Sequence, residues 1–205
     1  MPGENLCACM NVPNQLTVAR LGLTVIFVAV AYSGLSWSWS VAMVIFGIAS
    51  FTDFLDGRIA RQRGIVTSFG QLMDPLADKV LMAAAFVVLL DRDRTSMPAW
   101  LVIVILFREF LVTGLRLVAS SRGAVLAADW LGKQKTIWQI ITASYLLVMH
   151  AANEPVMAWV KPLFKLPVVG RDLMVPVLLS ITLIITLWSG AAYVWRNRQL
   201  VINEL

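Results

Sequence analysis

Between Leu21 and Thr52 the chain carries no charged residue. A helix needs about 20 apolar residues to cross a bilayer, so this run is too long for one helix of ordinary thickness. Tyr32-Ser33-Gly34 and Ser36-Trp37-Ser38-Trp39 interrupt it. Gly and Ser punctuate helices, and Trp favours the membrane–water interface. The run therefore reads as two spanning helices joined by a short turn. Composition agrees along the whole chain: 59% of its 205 residues are hydrophobic and only 14% charged, against about 25% charged in an average soluble domain. Mean hydropathy is +0.78. Such a chain is an all-α integral membrane protein, with no length left for a separate soluble domain.

The remaining charge breaks and Pro/Gly signals divide the sequence further. Helices are expected at about 15–32, 38–60, 70–90, 98–120, 131–149 and 173–195, following an N-terminal segment of residues 1–14. All belong to one membrane-embedded domain, residues 1–205. Arg58, Arg61 and Arg63, then Arg122, Lys133 and Lys135, then Arg196 and Arg198 fall on one side. The positive-inside bias makes that side cytoplasmic, with both termini there. The net charge of +5 is read as this bias, and nucleic acid is not expected as a partner. The start MPGENLCACMN lacks the basic region and apolar core of a signal peptide. Cys7 and Cys9 offer too few ligands for structural zinc and no disulfide framework. Residues 153–172, rich in Pro, read as an interfacial connection, and His150, the only histidine, as an interfacial side chain.

Chemistry concentrates between helices two and three. Asp53 and Asp56 stand at i,i+3, and Asp74 and Asp78 at i,i+4, spacings that put each pair on one helix face. A short connection makes the two helices neighbours, so the pairs converge near the cytoplasmic end. Ion pairing with Arg58, Arg61 and Lys79 is the structural alternative. Four carboxylates in apolar surroundings repel one another and are costly to desolvate, and divalent cations relieve both costs. Hard oxygen ligands without His or Cys point to Mg²⁺ or Mn²⁺, and four carboxylates suffice for two ions. Gly57 and Gly70 remove bulk beside the acids.

Farther along, Arg108, Glu109 and Arg116 lie within an apolar helix, and Lys133 and Lys135 open the next. A buried arginine is expensive without an anion, and Glu109 is one carboxylate for two. Two Arg and two Lys near the carboxylate end make a phosphate pocket, Arg being suited to bidentate capture. Intramembrane carboxylates also mark divalent-cation transporters. Transporters, however, often place them near the midplane, between repeated halves, and no repeat is visible here.

Asp53-x-x-Asp56-Gly57-x-x-Ala60-Arg61, eight residues, then Gly70-x-x-x-Asp74-x-x-x-Asp78 resembles the signature of the CDP-alcohol phosphatidyltransferase family at every fixed position. That family's fold, six transmembrane helices around a polar cavity open to the cytoplasm, covers nearly the whole chain. The resemblance implies transfer of a substituted phosphate from a CDP-linked lipid or alcohol to a hydroxyl, with release of CMP. It implies that Asp53, Asp56, Asp74 and Asp78 bind two ions, with Asp78 also the base for the acceptor's proton. It assigns Gly57, Arg61 and Thr67 to the CDP moiety, and Asn14 and Thr17, within Pro13-Asn14-x-Leu16-Thr17-x-x-Arg20, to the nucleotide's neighbourhood.

Asp74-Pro-x-Ala-Asp78-Lys79, Arg108-Glu-Phe and Gly132-Lys-x-Lys-Thr136 resemble the bacterial branch that joins CDP-diacylglycerol to sn-glycerol 3-phosphate. On that reading Arg108, Arg116, Lys133 and Lys135 hold the acceptor's phosphate. Branches making cardiolipin, phosphatidylserine or inositol-phosphate lipids are the alternatives; free serine or inositol needs less positive charge. The resemblance further implies a bacterial inner-membrane location, membrane-lipid contacts and a homodimer. Met10-Asn11-Val12-Pro13 looks like a family start, so translation from Met10 and dispensability of residues 1–9 are also expected.

Overall fold

The computed structural model describes residues 12–63, 68–121 and 130–198, with side chains for 18–52, 79–119 and 130–198. Six long helices follow one another: α1 (Val12–Tyr32), α2 (Ser38–Arg63), α3 (Ser68–Arg92), α4 (Ala99–Ser121), α5 (Trp130–Ala151) and α6 (Arg171–Arg196). A 3₁₀ segment, Pro155–Lys165, links the last two. Among the described residues there is no strand. Each helix lies within a few residues of the span expected from charge and punctuation.

Turn chemistry explains where the helices stop. Gly34 adopts a φ of +70° between α1 and α2, a conformation that costs a side-chain-bearing residue steric strain. The Asp93 carboxylate accepts hydrogen bonds from the Thr95 and Ser96 amides, which folds the α3–α4 turn back on itself. The Pro98 carbonyl then accepts from the amides of Leu101 and Val102, starting α4 beside the proline. At the N-terminus of α2, Glu154 reaches across from the segment after α5. It accepts from the Trp39 amide at 2.7 Å, the Ser40 amide at 2.9 Å and the Ser40 hydroxyl at 2.6 Å. One carboxylate thus satisfies orphan amides of a helix start and favours its positive end.

α1 packs on α2 and α3, which also meet each other; α5 joins α2, α3 and α6; α4 closes against α6 and α3. The apolar core lies toward the end bearing the α1–α2 and α3–α4 turns, where Phe27, Phe46, Phe86, Leu89, Met97, Leu101, Leu146 and Leu147 are buried. At the other end the interior turns polar. Arg20, Arg108, Glu109, Lys135, Gln139 and Thr186 are buried, whereas Ile103, Phe107, Phe110, Ile184 and Trp188 face outward. A soluble protein has the reverse arrangement. Side chains that bury charge and expose aliphatic and aromatic faces fit a lipid surround.

α6 alone, among the described residues, is long and apolar enough to cross a membrane by itself; Val18–Tyr32 and Ser38–Thr52 are shorter apolar stretches. The physical reason is visible in α4 and α5, whose apolar faces are interrupted by Arg108, Glu109, Arg116, Lys133 and Lys135. The 3₁₀ segment buries none of its residues, and Trp159 within it is 78% exposed.

Candidate functional site

The four aspartates ride on two helices. α2 continues through Asp53 and Asp56 to Arg63, and α3 runs through Asp74 and Asp78 from Ser68. The i,i+3 and i,i+4 spacings therefore act on helical backbone, as the sequence required. Asn14 and Thr17 fall on α1, and Gly57 and Arg61 on α2. The side chains of these residues, and Thr67 altogether, lie outside the described residues. Among the described residues no three metal-binding side chains come together.

The basic residues are described in full. Arg108 and Glu109, midway along α4, are each 9% exposed, and Lys135, one turn into α5, is 4% exposed. Lys135 donates to a Glu109 carboxylate oxygen. The Arg108 Nη1 stands 3.8 Å from that same oxygen. Glu109 is thus bound mainly to Lys135, rather than to either arginine of its own helix. α4 and α5 therefore bring Arg108 and Lys135 together on one carboxylate.

Arg116 completes this group from the end of α4, with its guanidinium 5.5 Å from the centre of the Tyr193 ring on α6. Cations over aromatic faces gain electrostatically. The Nε atoms of Arg108 and Arg116 are buried without a hydrogen-bond partner among the described residues. A buried donor left so is costly and calls for a missing acceptor. Arg108, Arg116 and Lys135 with Glu109 are three cations and one carboxylate, a balance of two positive charges that a dianionic phosphate would match. Lys133 does not join them. It is exposed, because two residues along a helix point about 200° apart, so Lys135 turns inward and Lys133 outward.

Sequence reasoning passed over α6. Thr182, Thr186, Ser189, Gly190 and Tyr193 form its buried face, with the Thr182 hydroxyl 2.8 Å from that of Thr142 on α5. Polar and small residues at i, i+4, i+7, i+8 and i+11 in an otherwise apolar helix were the available signal. Gln139 on α5 was missed too. It is 2% exposed, and its side-chain nitrogen lacks a partner among the described residues. A cleft of about 370 Å³ lies at the opposite end of α2, lined by Ser38, Trp39, Arg92, Asn153 and Glu154 among others. Glu154 there is already engaged by the start of α2.

The described helices thus form a bundle with an inward-facing basic cluster, and two of them carry an aspartate pair each. The chain belongs to the CDP-alcohol phosphatidyltransferase family, whose model matches residues 10–195. It is 47% identical over 156 residues to a Bacillus subtilis protein named CDP-diacylglycerol–glycerol-3-phosphate 3-phosphatidyltransferase, covering 70% of this chain and 80% of the relative. A Rickettsia felis protein of the same name is 38% identical over 67% of this chain and 75% of its own length. For one from Shigella flexneri the figures are 31%, 95% and 98%. Family membership sets the transporter alternative aside.

Proposed function

We propose that the protein transfers the phosphatidyl group of CDP-diacylglycerol to sn-glycerol 3-phosphate, giving phosphatidylglycerol phosphate and CMP. The observation that carries this reading is the pair of buried cations Arg108 and Lys135 on Glu109, with half-buried Arg116 farther along α4 against Tyr193, three cations to one carboxylate. A free alcohol such as serine or inositol would not compensate them; a phosphate dianion does. The names of the three relatives point to the same pair of substrates.

Asn14, Thr17, Gly57, Arg61 and Thr67 hold the CDP part of the donor, and Arg108, Arg116 and Lys135 hold the acceptor's phosphate. Lys133 serves at the rim, where an exposed cation draws anions in. The acceptor's hydroxyl oxygen forms a new bond to the lipid-linked phosphorus as the bond to the CMP oxygen breaks. Asp78 takes the hydroxyl proton, and CMP leaves with the bonding pair. Asp53, Asp56, Asp74 and Asp78 fit a pair of Mg²⁺ or Mn²⁺ ions by the chemistry of their donor set, hard oxygens on continuous helices. When bound, such ions neutralise charge on the pyrophosphate and the leaving group.

The reading includes six crossings of the bacterial inner membrane around a polar cavity, with both termini and the site facing the cytoplasm. Its support is the inverted burial pattern and the basic residues at one end of the bundle. A homodimer belongs to it on the resemblance alone. The test is CMP release from CDP-diacylglycerol by purified protein, with glycerol 3-phosphate, serine, inositol 1-phosphate and phosphatidylglycerol as acceptors, with and without EDTA. Glycerol 3-phosphate should be preferred and EDTA should abolish turnover. Preference for another acceptor would keep the family and discard the reaction.

A further inference from the structure

Gly190 on α6 lies directly against the stem of Arg108. A Cβ at this position would stand 3.0 Å from the Arg108 Cγ and 3.9 Å from its Nε. The first distance is tighter than almost all real carbon contacts, so a side chain here would push the Arg108 stem aside by a few tenths of an ångström. Glycine is a poor residue for a helix interior, and Gly190 sits well inside Arg171–Arg196. Its surroundings supply the reason. Arg108 is 9% exposed, and its Nε is buried without a partner among the described residues. Three residues on, the Tyr193 ring lies against the Arg116 guanidinium. One face of α6 therefore meets both arginines of α4, leaving space for one and a ring for the other.

We propose that Gly190 is a positioning residue, whose missing side chain lets Arg108 lie across α6 and aim its guanidinium at the acceptor's phosphate. This rests on the reading that Arg108 holds that phosphate. The geometry bears on acceptor affinity and not on the donor, because a Cβ at Gly190 would meet Arg108 and no other side chain within 4 Å among the described residues.

The test compares Gly190→Ala, Arg108→Ala and the double variant, measuring KM for glycerol 3-phosphate and for CDP-diacylglycerol, kcat, and thermal unfolding. Gly190→Ala should raise the acceptor KM about tenfold, since small misplacements of a binding group are amplified in this way, and leave the donor KM unchanged. In the double variant the added methyl meets no Cγ, so its acceptor KM should equal that of Arg108→Ala alone. An acceptor KM unmoved by Gly190→Ala, or a further loss in the double variant, overturns the proposal. If Arg108→Ala itself leaves the acceptor KM unchanged, the acceptor reading of Arg108 fails, and this inference with it. Should Gly190→Ala fail to fold, folding of the double variant would support the contact with Arg108. Misfolding of both would assign Gly190 to helix packing instead and overturn the proposal.

Discussion

Glu109 of α4 and Lys135 of α5 form an ion pair inside the bundle, their side chains only 12% and 5% exposed. Arg108 stands 3.8 Å from the same carboxylate oxygen, so one acid partly neutralises two cations on neighbouring helices. Desolvation makes such a pair a poor source of net stability, yet breaking it by removing one partner is costly. Its value here is local: Glu109 holds Lys135 and Arg108 in place while leaving the cluster positive overall.

Replacing Glu109 tests that balance. Glu109→Gln leaves buried cations with no carboxylate among them, a loss of about 3–5 kcal/mol by analogy with other broken buried pairs. Thermal unfolding of the detergent-solubilised protein should fall accordingly. Saturating glycerol 3-phosphate should recover more of that loss than it adds to the unaltered protein, because the dianion replaces the missing charge. Unaltered stability in Glu109→Gln would show that the carboxylate does not compensate the cluster.

Separate variants distinguish acceptor from donor contacts. A hydrogen bond to a charged group contributes about 1.5–3 kcal/mol, roughly ten- to a hundredfold in affinity. Lys135→Ala and Arg116→Ala should raise KM for glycerol 3-phosphate by that factor and leave KM for CDP-diacylglycerol nearly unchanged. Arg61→Ala should do the opposite. Exposed Lys133 should matter less, with a modest effect that salt removes. Should the lysine and arginine variants weaken only the CDP-lipid, the two subsites are exchanged.

The six helices were legible because charged residues, Gly and Pro interrupt the apolar runs between them, and Gly34, Asp93 and Pro98 sit in turns whose chemistry is local. The helical setting of the aspartate pairs was legible, because their i,i+3 and i,i+4 spacings need only the continuous backbone that α2 and α3 supply. Arg108 and Lys135 showed themselves as charges in apolar helices. Which of two lysines points inward depends on the rotation of α5, and that is set by tertiary packing; Lys133 accordingly proved exposed. The partner of Glu109, the seat of Arg108 on Gly190 and the ring beside Arg116 are relations between distant helices, which no single stretch of sequence encodes. His150 shows the same limit. It stacks on Trp39 with centroids 4.6 Å apart, and its Nε2 is 3.6 Å from the Asp93 carboxylate.

The aspartates can be tested one at a time. Asp53→Asn, Asp56→Asn, Asp74→Asn and Asp78→Asn should each nearly abolish CMP release while the protein still inserts into membranes. The first three should weaken the Mg²⁺ or Mn²⁺ dependence of any residual turnover, and Asp78→Asn should also lose proton abstraction. Near-normal activity in any one of them would remove that residue from the proposed two-ion site.

Far from that chemistry, Asp93 ties the α3–α4 turn to the start of α6. Besides the Thr95 and Ser96 amides, its carboxylate accepts from the Arg171 guanidinium at 3.0 and 3.2 Å. Burial alone would raise this carboxyl, but the hydrogen bonds from Ser96 and the charges of Arg171 and His150 hold it below its ordinary value of 3.8. A group whose pKa is lower folded than unfolded stabilises the fold above the unfolded value, and that stability is lost as pH falls through the folded one. The contribution should therefore be complete at neutral pH and disappear below about pH 4. Asp93→Asn should be less stable than the unaltered protein at neutral pH, and the two should converge in acid, as thermal unfolding across a pH series would show. Both KM values should stay unchanged, since the turn lies at the end of the bundle away from the aspartates. A constant gap between the two proteins across the pH series would show that the charge on Asp93 is not what ties the turn to α6.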